Sequence, residues 1–92
     1  MKKYLFHIRN ERGDAADDEG TDLPNDDAAR AHAIHGIRSL LAAELCERGE
    51  ISFNGRITVA DADDQELFVV PFHDAVIVRG DGGVRRMSGR RG

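Results

Sequence analysis

The chain of 92 residues is long enough for one domain with a single hydrophobic core and too short for two such domains. Its single cysteine excludes an internal disulfide framework, and no apolar run reaches the roughly 20 residues that a membrane helix needs. Residues 1–78 carry 8 Lys or Arg against 16 Asp or Glu, whereas residues 79–92 carry 5 Arg against one Asp. We therefore expect an acidic, cytoplasmic domain that repels nucleic acid, followed by a basic tail that attracts it.

The first predicted element is a strand close to residue 1. Residues 3–9 alternate between apolar and polar side chains, with Tyr4, Phe6 and Ile8 on the inner face. Turn residues follow, and the acidic segment 14–22 has almost no large apolar side chains. This segment leaves room for a short second strand.

A long amphipathic helix is predicted over residues 25–48. Asn25 is a good N-cap, because its side-chain oxygen can accept from the unpaired N–H groups of the first turn. Gly49 suits the left-handed position just past the helix end. Side chains at three- and four-residue spacings form one apolar stripe: Ala33, Ile34, Ile37, Leu40, Leu41 and Leu45.

Charged side chains on this helix are spaced for pairing. Asp26 and Arg30 lie four residues apart, as do Glu44 and Arg48, and the acid comes first in both pairs. This order complements the helix dipole, so each pair is expected to contribute a few tenths of a kcal/mol.

Two further strands are predicted over residues 56–61 and 66–71, and the polar turn between them makes a hairpin. Ile57 and Val59 face inward in the first strand. The run Leu67–Val70 is apolar at every position, which is typical of a central strand or of a strand whose second face meets a partner.

These elements predict an α+β fold of order ββαββ. An antiparallel sheet of three or four strands carries one long amphipathic helix on one face. The single domain spans residues 1–78, and the Arg/Gly-rich tail 79–92 is expected to be disordered.

The length of the helix suggests a contact with a partner. About 23 helical residues span roughly 34 Å, whereas a six-residue strand covers about 20 Å. The helix is therefore expected to extend past its sheet and to contact another protein or a second copy of this chain. The hypothetical interface consists of Gly36, Leu41, Leu45, Phe68 and Val70. The leading hypothesis is a small binding or regulatory module that acts through protein contacts.

His32 and His35 are the candidates for metal ligation, because their spacing places both on the polar helix face. Two imidazoles make an incomplete ligand set, so solvated histidines are the better interpretation. Cys46 lies near the helix C-terminus, where the dipole disfavours a thiolate nucleophile. We expect no enzyme and no cofactor, and we keep a His-based metal protein or enzyme as an alternative.

The basic tail gives another alternative, a nucleic-acid-associated regulator. Arginine-glycine segments bind RNA weakly through phosphate contacts, and such binding is sensitive to salt. The arginines that would make these contacts are Arg79, Arg85, Arg86, Arg90 and Arg91.

Four separate motifs, in this order and spacing, resemble a known bacterial family. They are Tyr4–Arg9, Asp18–Pro24, Ala28–Ala31 and Pro71–Val76. The family is catalogued as domain of unknown function 6894 and is common in alphaproteobacteria. The resemblance covers about residues 3–78 and implies a bacterial cytoplasmic origin, without a catalytic residue or ligand to carry over.

The first turn departs from the family pattern, since Asn10–Gly13 stands where the family usually has Arg-Asp-Gly. A further similarity, at the level of the fold alone, is to the antitoxin half of HicA/HicB-type toxin–antitoxin pairs. Those proteins also run from two strands into an Ala-rich helix through a Leu-Pro and acidic turn. A likeness of fold implies little about function.

Overall fold

The computed structural model describes residues 1–80 and 83–86 of the chain. In chain order its elements are β1 (Lys2–Asn10), β2 (Gly13–Ala15), β3 (Thr21–Leu23), α1 (Asp26–Arg48), β4 (Arg56–Ala60), β5 (Glu66–Pro71), a 3₁₀ helix (Phe72–Ala75), β6 (Ile77–Gly80) and β7 (Gly83–Arg86). Along this described part of the chain, no helix is both long and apolar enough to cross a membrane.

One antiparallel sheet of five strands carries α1 on one face, which confirms the predicted α+β fold. The strand path is β2–β1–β4–β5, and β3 also pairs with β1. The sheet has five strands, against the three or four expected, because β2 and β3 are separate short strands. β2 pairs with residues 8–10 of β1, and β3 pairs with residues 2–4.

The helix begins and ends where its capping residues predict. Asn25 Oδ1 accepts a 2.9 Å hydrogen bond from the Ala28 N–H. Gly49 has a φ of 70°, and its N–H donates to the Leu45 carbonyl at 2.9 Å. A residue with a side chain is strained in this left-handed conformation, so glycine ends the helix at low cost.

The core lies between α1 and the inner face of the sheet. Its largest fully buried side chains are Tyr4, Phe72, Ile37, Val59 and Val70. The 3₁₀ helix closes one end of this core with Phe72, whose ring lies over the backbone of residue 55. A Cβ at Gly55 would lie 2.5 Å from that ring, so only glycine fits there without a shift.

The predicted hairpin of β4 and β5 is present, with its second strand at the predicted residues 66–71, but two other expectations for this part of the chain are wrong. β5 pairs with β4 along one side only, so within the described residues it is an edge strand and not a central one. Disorder was expected from Arg79 onward, whereas β6 and β7 form an antiparallel hairpin that pairs Ile77–Gly80 with Gly83–Arg86. The rest of the predicted tail, residues 81–82 and 87–92, lies outside the described residues.

Candidate functional site

The outer face of the sheet, opposite α1, carries a groove of about 620 Å³. Side chains reach this face because successive residues of a strand point to opposite sides. Its volume lies in the range of small-ligand sites. The polar and charged side chains of its lining include His7, Arg9, Asp14, Arg56, Thr58 and Asp64.

His7 occupies this groove with both ring nitrogens engaged. Its Nδ1 accepts a 3.0 Å hydrogen bond from the Asp17 N–H, and its Nε2 lies 2.7 Å from Asp64 Oδ1. Because Nδ1 accepts, the proton of the neutral ring lies on Nε2 and is donated to Asp64. In this arrangement neither nitrogen is free to act as a general base or to bind a metal.

The Asp64 side of this contact comes from the tight turn between β4 and β5. Asp61 Oδ1 accepts from the N–H groups of Asp63 and Gln65, and this holds the turn closed. Asp64 takes a φ of 63°, a left-handed conformation that Asp adopts more readily than most residues. The turn thereby places a carboxylate directly over His7.

Asp17 holds the loop that directly follows the groove residues Ala15 and Ala16. One carboxylate oxygen accepts from the Phe6 N–H at 3.0 Å, and the other accepts from the N–H groups of Glu19 and Gly20 at 3.1 and 3.0 Å. Partial burial alone would raise the pKa of Asp17. The N–H donors of Gly20, Phe6 and Glu19, together with nearby His7, outweigh burial and lower the pKa below its usual value.

Two arginines face each other across the strands that form the groove floor. Arg9 on β1 is the cross-strand partner of Arg56 on β4. Arg9 Nε lies 3.2 Å from Asp14 Oδ2, which relieves part of the repulsion between the two cations. Within residues 1–80, no carboxylate pairs with Arg56. The groove can therefore hold a polar or anionic group at this end.

The free edge of β5 is the second candidate surface. Leu67 is 41% exposed, whereas Phe68 and Val69 are half-buried. A strand edge without a neighbour presents unpaired backbone N–H and C=O groups, which can pair with a strand from another chain. This edge is apolar over most of its length.

The five residues of the predicted partner interface differ in how far they are exposed to solvent. Leu41 and Val70 are 4% and 0% exposed, because α1 and β5 bury them in the core. They are not available to a partner, and this corrects the predicted interface. Phe68 is half-buried against the core, Gly36 is exposed, and Leu45 is 54% exposed near the helix end.

The two candidate metal ligands stay apart from other ligating groups. His32 packs its ring against Phe6 with a centroid distance of 4.7 Å, and His35 is exposed. Within residues 1–80 and 83–86, no three His, Cys, Asp or Glu side chains are grouped to hold a metal. Cys46 is exposed on the last turns of α1.

The tail arginines divide between the hairpin and the region beyond it. Arg79 lies in β6, and Arg85 and Arg86 lie in β7, where they pair with Val78 and Ile77. Arg90 and Arg91 lie outside the described residues.

Sequence reasoning missed the contacts of His7, which no sequence motif singled out. Its partners Asp17 and Asp64 lie 10 and 57 residues away. Local spacing carries no signal for either contact, because both depend on the pairing of β1 with β4 and on the loop between β2 and β3.

Comparison with known protein families identifies a match that covers most of the chain. Residues 3–73 match the family whose description is Domain of unknown function (DUF6894), so the match ends five residues before the resemblance seen in the motifs. No curated protein and no solved structure matches the chain. The matched region includes β1 except for Lys2, the other four strands of the sheet, the whole of α1 and the groove. The chain belongs to this DUF6894 family.

Proposed function

We propose that this protein is a non-enzymatic binding module that acts through protein contacts. The observation that carries the proposal is the edge position of β5, a strand with four consecutive apolar residues from Leu67 to Val70. Natural proteins blunt exposed edges with charges, bulges or covering loops, and β5 carries a register shift near its start and Pro71 at its end. Between these two features no described strand neighbours β5 on its outer side, so this stretch is suited to pairing with a strand of another chain.

Exposed apolar side chains outside the sheet edge support the same proposal. Leu45 is 54% exposed, and Ile51 is 38% exposed shortly after the helix. The commitment of both His7 nitrogens to Asp17 and Asp64 also favours a binding role over a catalytic one for the groove. We propose the bacterial cytoplasm, and an alphaproteobacterial source, as the setting, since a single cysteine suits a reducing compartment.

The test is an affinity isolation from a bacterial extract treated with nuclease, followed by mass spectrometry of the retained proteins. The wild-type chain is compared with Val69→Lys, which places a charge on the edge strand, and with Leu45→Lys at the helix end. We expect a protein in stoichiometric amount with the wild-type chain and its loss with Val69→Lys. Equal retention by all three proteins, or no retained protein with the wild type, contradicts binding through the edge.

The β6–β7 hairpin favours a second candidate function, nucleic-acid association. Its register places Arg79, Arg85 and Arg86 on two paired strands, and a two-stranded ribbon can enter the major groove of DNA. Titration of labelled duplex DNA at low salt compares Arg85→Ala/Arg86→Ala with Arg90→Ala/Arg91→Ala, which removes the same charge at positions that follow β7 in the sequence. Weaker binding in the first variant alone supports the ribbon, and equal weakening contradicts it.

A further inference from the structure

The hydrogen bond between His7 and the Asp17 N–H depends on the protonation state of the imidazole ring. His7 Nδ1 accepts this bond at 3.0 Å, and a ring nitrogen can accept only while it carries no proton. In an imidazolium both ring nitrogens are donors. A proton on Nδ1 would face the Asp17 N–H donor to donor, so the charged ring cannot keep this bond.

The contact on the other side of the ring responds in the opposite way. His7 Nε2 lies 2.7 Å from Asp64 Oδ1, and this nitrogen donates in the neutral ring and in the charged ring alike. A hydrogen bond between two ionised partners is stronger than one with a neutral donor. Protonation therefore keeps the ring on the turn between β4 and β5 and releases the loop backbone at Asp17.

The surroundings of His7 are able to hold a charged ring. The His7 side chain is 25% exposed, so a proton reaches it from solvent without unfolding of the sheet. Charged side chains lie around it on each neighbouring element: Arg9 on β1, Asp14 on β2, Asp17 in the next loop, Arg56 on β4, Asp64 in the β4–β5 turn and Glu66 on β5. Carboxylates outnumber guanidinium groups in this set, so a positive ring lies in an excess of negative charge.

The loop after β2 is attached to the sheet by more than its bond to His7. The Asp17 carboxylate accepts from the N–H groups of Phe6, Glu19 and Gly20 at 3.0, 3.1 and 3.0 Å. The pKa of Asp17 is lowered from 3.8 by these donors, so the carboxylate keeps its charge at the higher pH where histidines titrate. Loss of the His7 bond therefore moves one peptide group and leaves the loop attached.

We propose that His7 is a proton-sensitive switch that sets the shape of the groove. The neutral ring holds the Asp17 N–H and the β4–β5 turn together, and the protonated ring holds the turn alone. Ala15 and Ala16 line the groove next to the released peptide group, so this wall moves away from the ring. Because imidazoles change charge between about pH 5 and 8, mild acidification opens the groove. The switch does not depend on the proposed protein contacts of β5.

The test is an NMR titration of the full chain from about pH 8 to about pH 5, the range in which histidines change charge. The ring protons of His7 report its protonation. Hydrogen exchange of the Asp17 amide, corrected for the intrinsic effect of pH on exchange, reports the bond to the ring. We expect the protection of this amide to fall by about fivefold on acidification, as for the loss of one ordinary hydrogen bond. The fall is expected to share its midpoint with the titration of the His7 ring.

The turn between β4 and β5 is an internal control in the same spectra. The N–H groups of Asp63 and Gln65 both donate to Asp61 Oδ1 at 2.9 Å. Their protection is expected to stay constant, because the protonated ring remains bound to this turn. An equal fall in protection at Asp17 and in the turn would indicate general loosening of the fold and would contradict the switch.

Two variants separate His7 from the other histidines. His7→Asn keeps an acceptor oxygen close to the place of Nδ1 and has no group that titrates in this range, so its Asp17 amide is expected to stay protected throughout. His35→Asn removes an exposed histidine of α1 and is the matched control. Its Asp17 amide is expected to respond to pH as in the wild type.

The proposal is overturned by any of three results. One is a wild-type His7 that titrates while the protection of the Asp17 amide stays constant, a comparison that needs no variant to fold. Another is a wild-type His7 that stays neutral down to about pH 5. The last is a pH response of Asp17 that persists in folded His7→Asn or disappears in His35→Asn.

Discussion

The Tyr4 hydroxyl donates a 2.7 Å hydrogen bond to Asp26 Oδ1 and so ties β1 to the first turn of α1. The Tyr4 ring is fully buried beneath the helix, whereas its oxygen reaches the carboxylate at the surface. This single contact joins the start of the sheet to the start of the helix. It also gives a spectroscopic probe, because the chain has one Tyr and no Trp.

We predict that Tyr4 titrates about two pH units above a free tyrosine. The hydrogen bond to Asp26, burial of the ring and the charge of Asp26 together raise the pKa of Tyr4 from 10.0 to about 12. A raised pKa stabilises the fold fully below about pH 10, and this contribution is lost as the pH rises through about 12. Absorbance of the phenolate measures the titration, with Asp26→Asn as the matched variant whose Tyr4 pKa falls towards 10. A wild-type midpoint near 10 contradicts the contact.

We predict that loss of the Asp17 carboxylate destabilises the loop that closes the groove. Asp17→Ala leaves the N–H groups of Phe6, Glu19 and Gly20 without their acceptor, and the expected cost is about 2–3 kcal/mol. Asp18→Ala, an exposed neighbour, is the control and should change the free energy of unfolding by less than about 0.5 kcal/mol. Urea unfolding measures both.

The same carboxylate predicts a dependence on pH. The folded-state pKa of Asp17 lies below its usual value of 3.8. Its contribution to stability is therefore complete above that value and is lost as the pH falls through the lower, folded-state pKa. Asp17→Ala should lose less stability than the wild type on acidification in this range. If both proteins lose the same free energy of unfolding over this pH range, the lowered pKa of Asp17 is not the cause of the wild-type pH dependence.

The helix was predictable because its signals are local. Asn25 caps the first turn with its side-chain oxygen, and Gly49 ends the helix through its left-handed backbone and its N–H, as the sequence predicts for both. The inward positions of Ile57 and Val59 were also predictable, since alternation along a strand depends only on neighbouring residues. Short-range rules were sufficient for these elements.

The predicted helix ion pairs did not form, because tertiary partners compete for the same charges. Asp26 accepts from Tyr4. Arg30 lies 3.7 Å from Asp74, and Glu44 lies 3.4 Å from Arg12. Each of these partners is far away in sequence, so a rule based on four-residue spacing does not predict the contact.

The candidate sites were less predictable for the same reason. Val70 fits a partner interface by composition, but its burial depends on the register of β5 with β4. The contact between His7 and Asp64 needs β1 beside β4 and a left-handed turn residue. Edge or centre is a property of the assembled sheet, which no single strand encodes.

We predict opposite effects for two glycine-to-alanine substitutions. A Cβ at Gly55 meets the Phe72 ring at 2.5 Å, so Gly55→Ala should destabilise the protein by about 1–3 kcal/mol through overpacking. A Cβ at Gly36 would have one neighbour within 4 Å, Ile57 Cδ1 at 4.0 Å, which is an ordinary van der Waals distance. Gly36→Ala should therefore stabilise α1 by up to about 1 kcal/mol. Thermal unfolding compares the two, and a loss of stability in Gly36→Ala contradicts the open space beside the helix.

The last prediction separates core from surface on the apolar stripe of α1. Leu41 is 4% exposed, so Leu41→Ala should lower the free energy of unfolding by about 2–5 kcal/mol through the cavity that it leaves.

Leu45 lies one helical turn further and is 54% exposed. Leu45→Ala should change the free energy of unfolding by less than about 0.5 kcal/mol. Chemical denaturation measures the free energy of unfolding of both variants at one protein concentration. Repetition at a tenfold lower concentration shows whether self-association contributes to the result. A large and concentration-dependent cost at Leu45 would place the protein contact at the end of the helix and not at the edge of β5, because a partner bound there would bury that side chain.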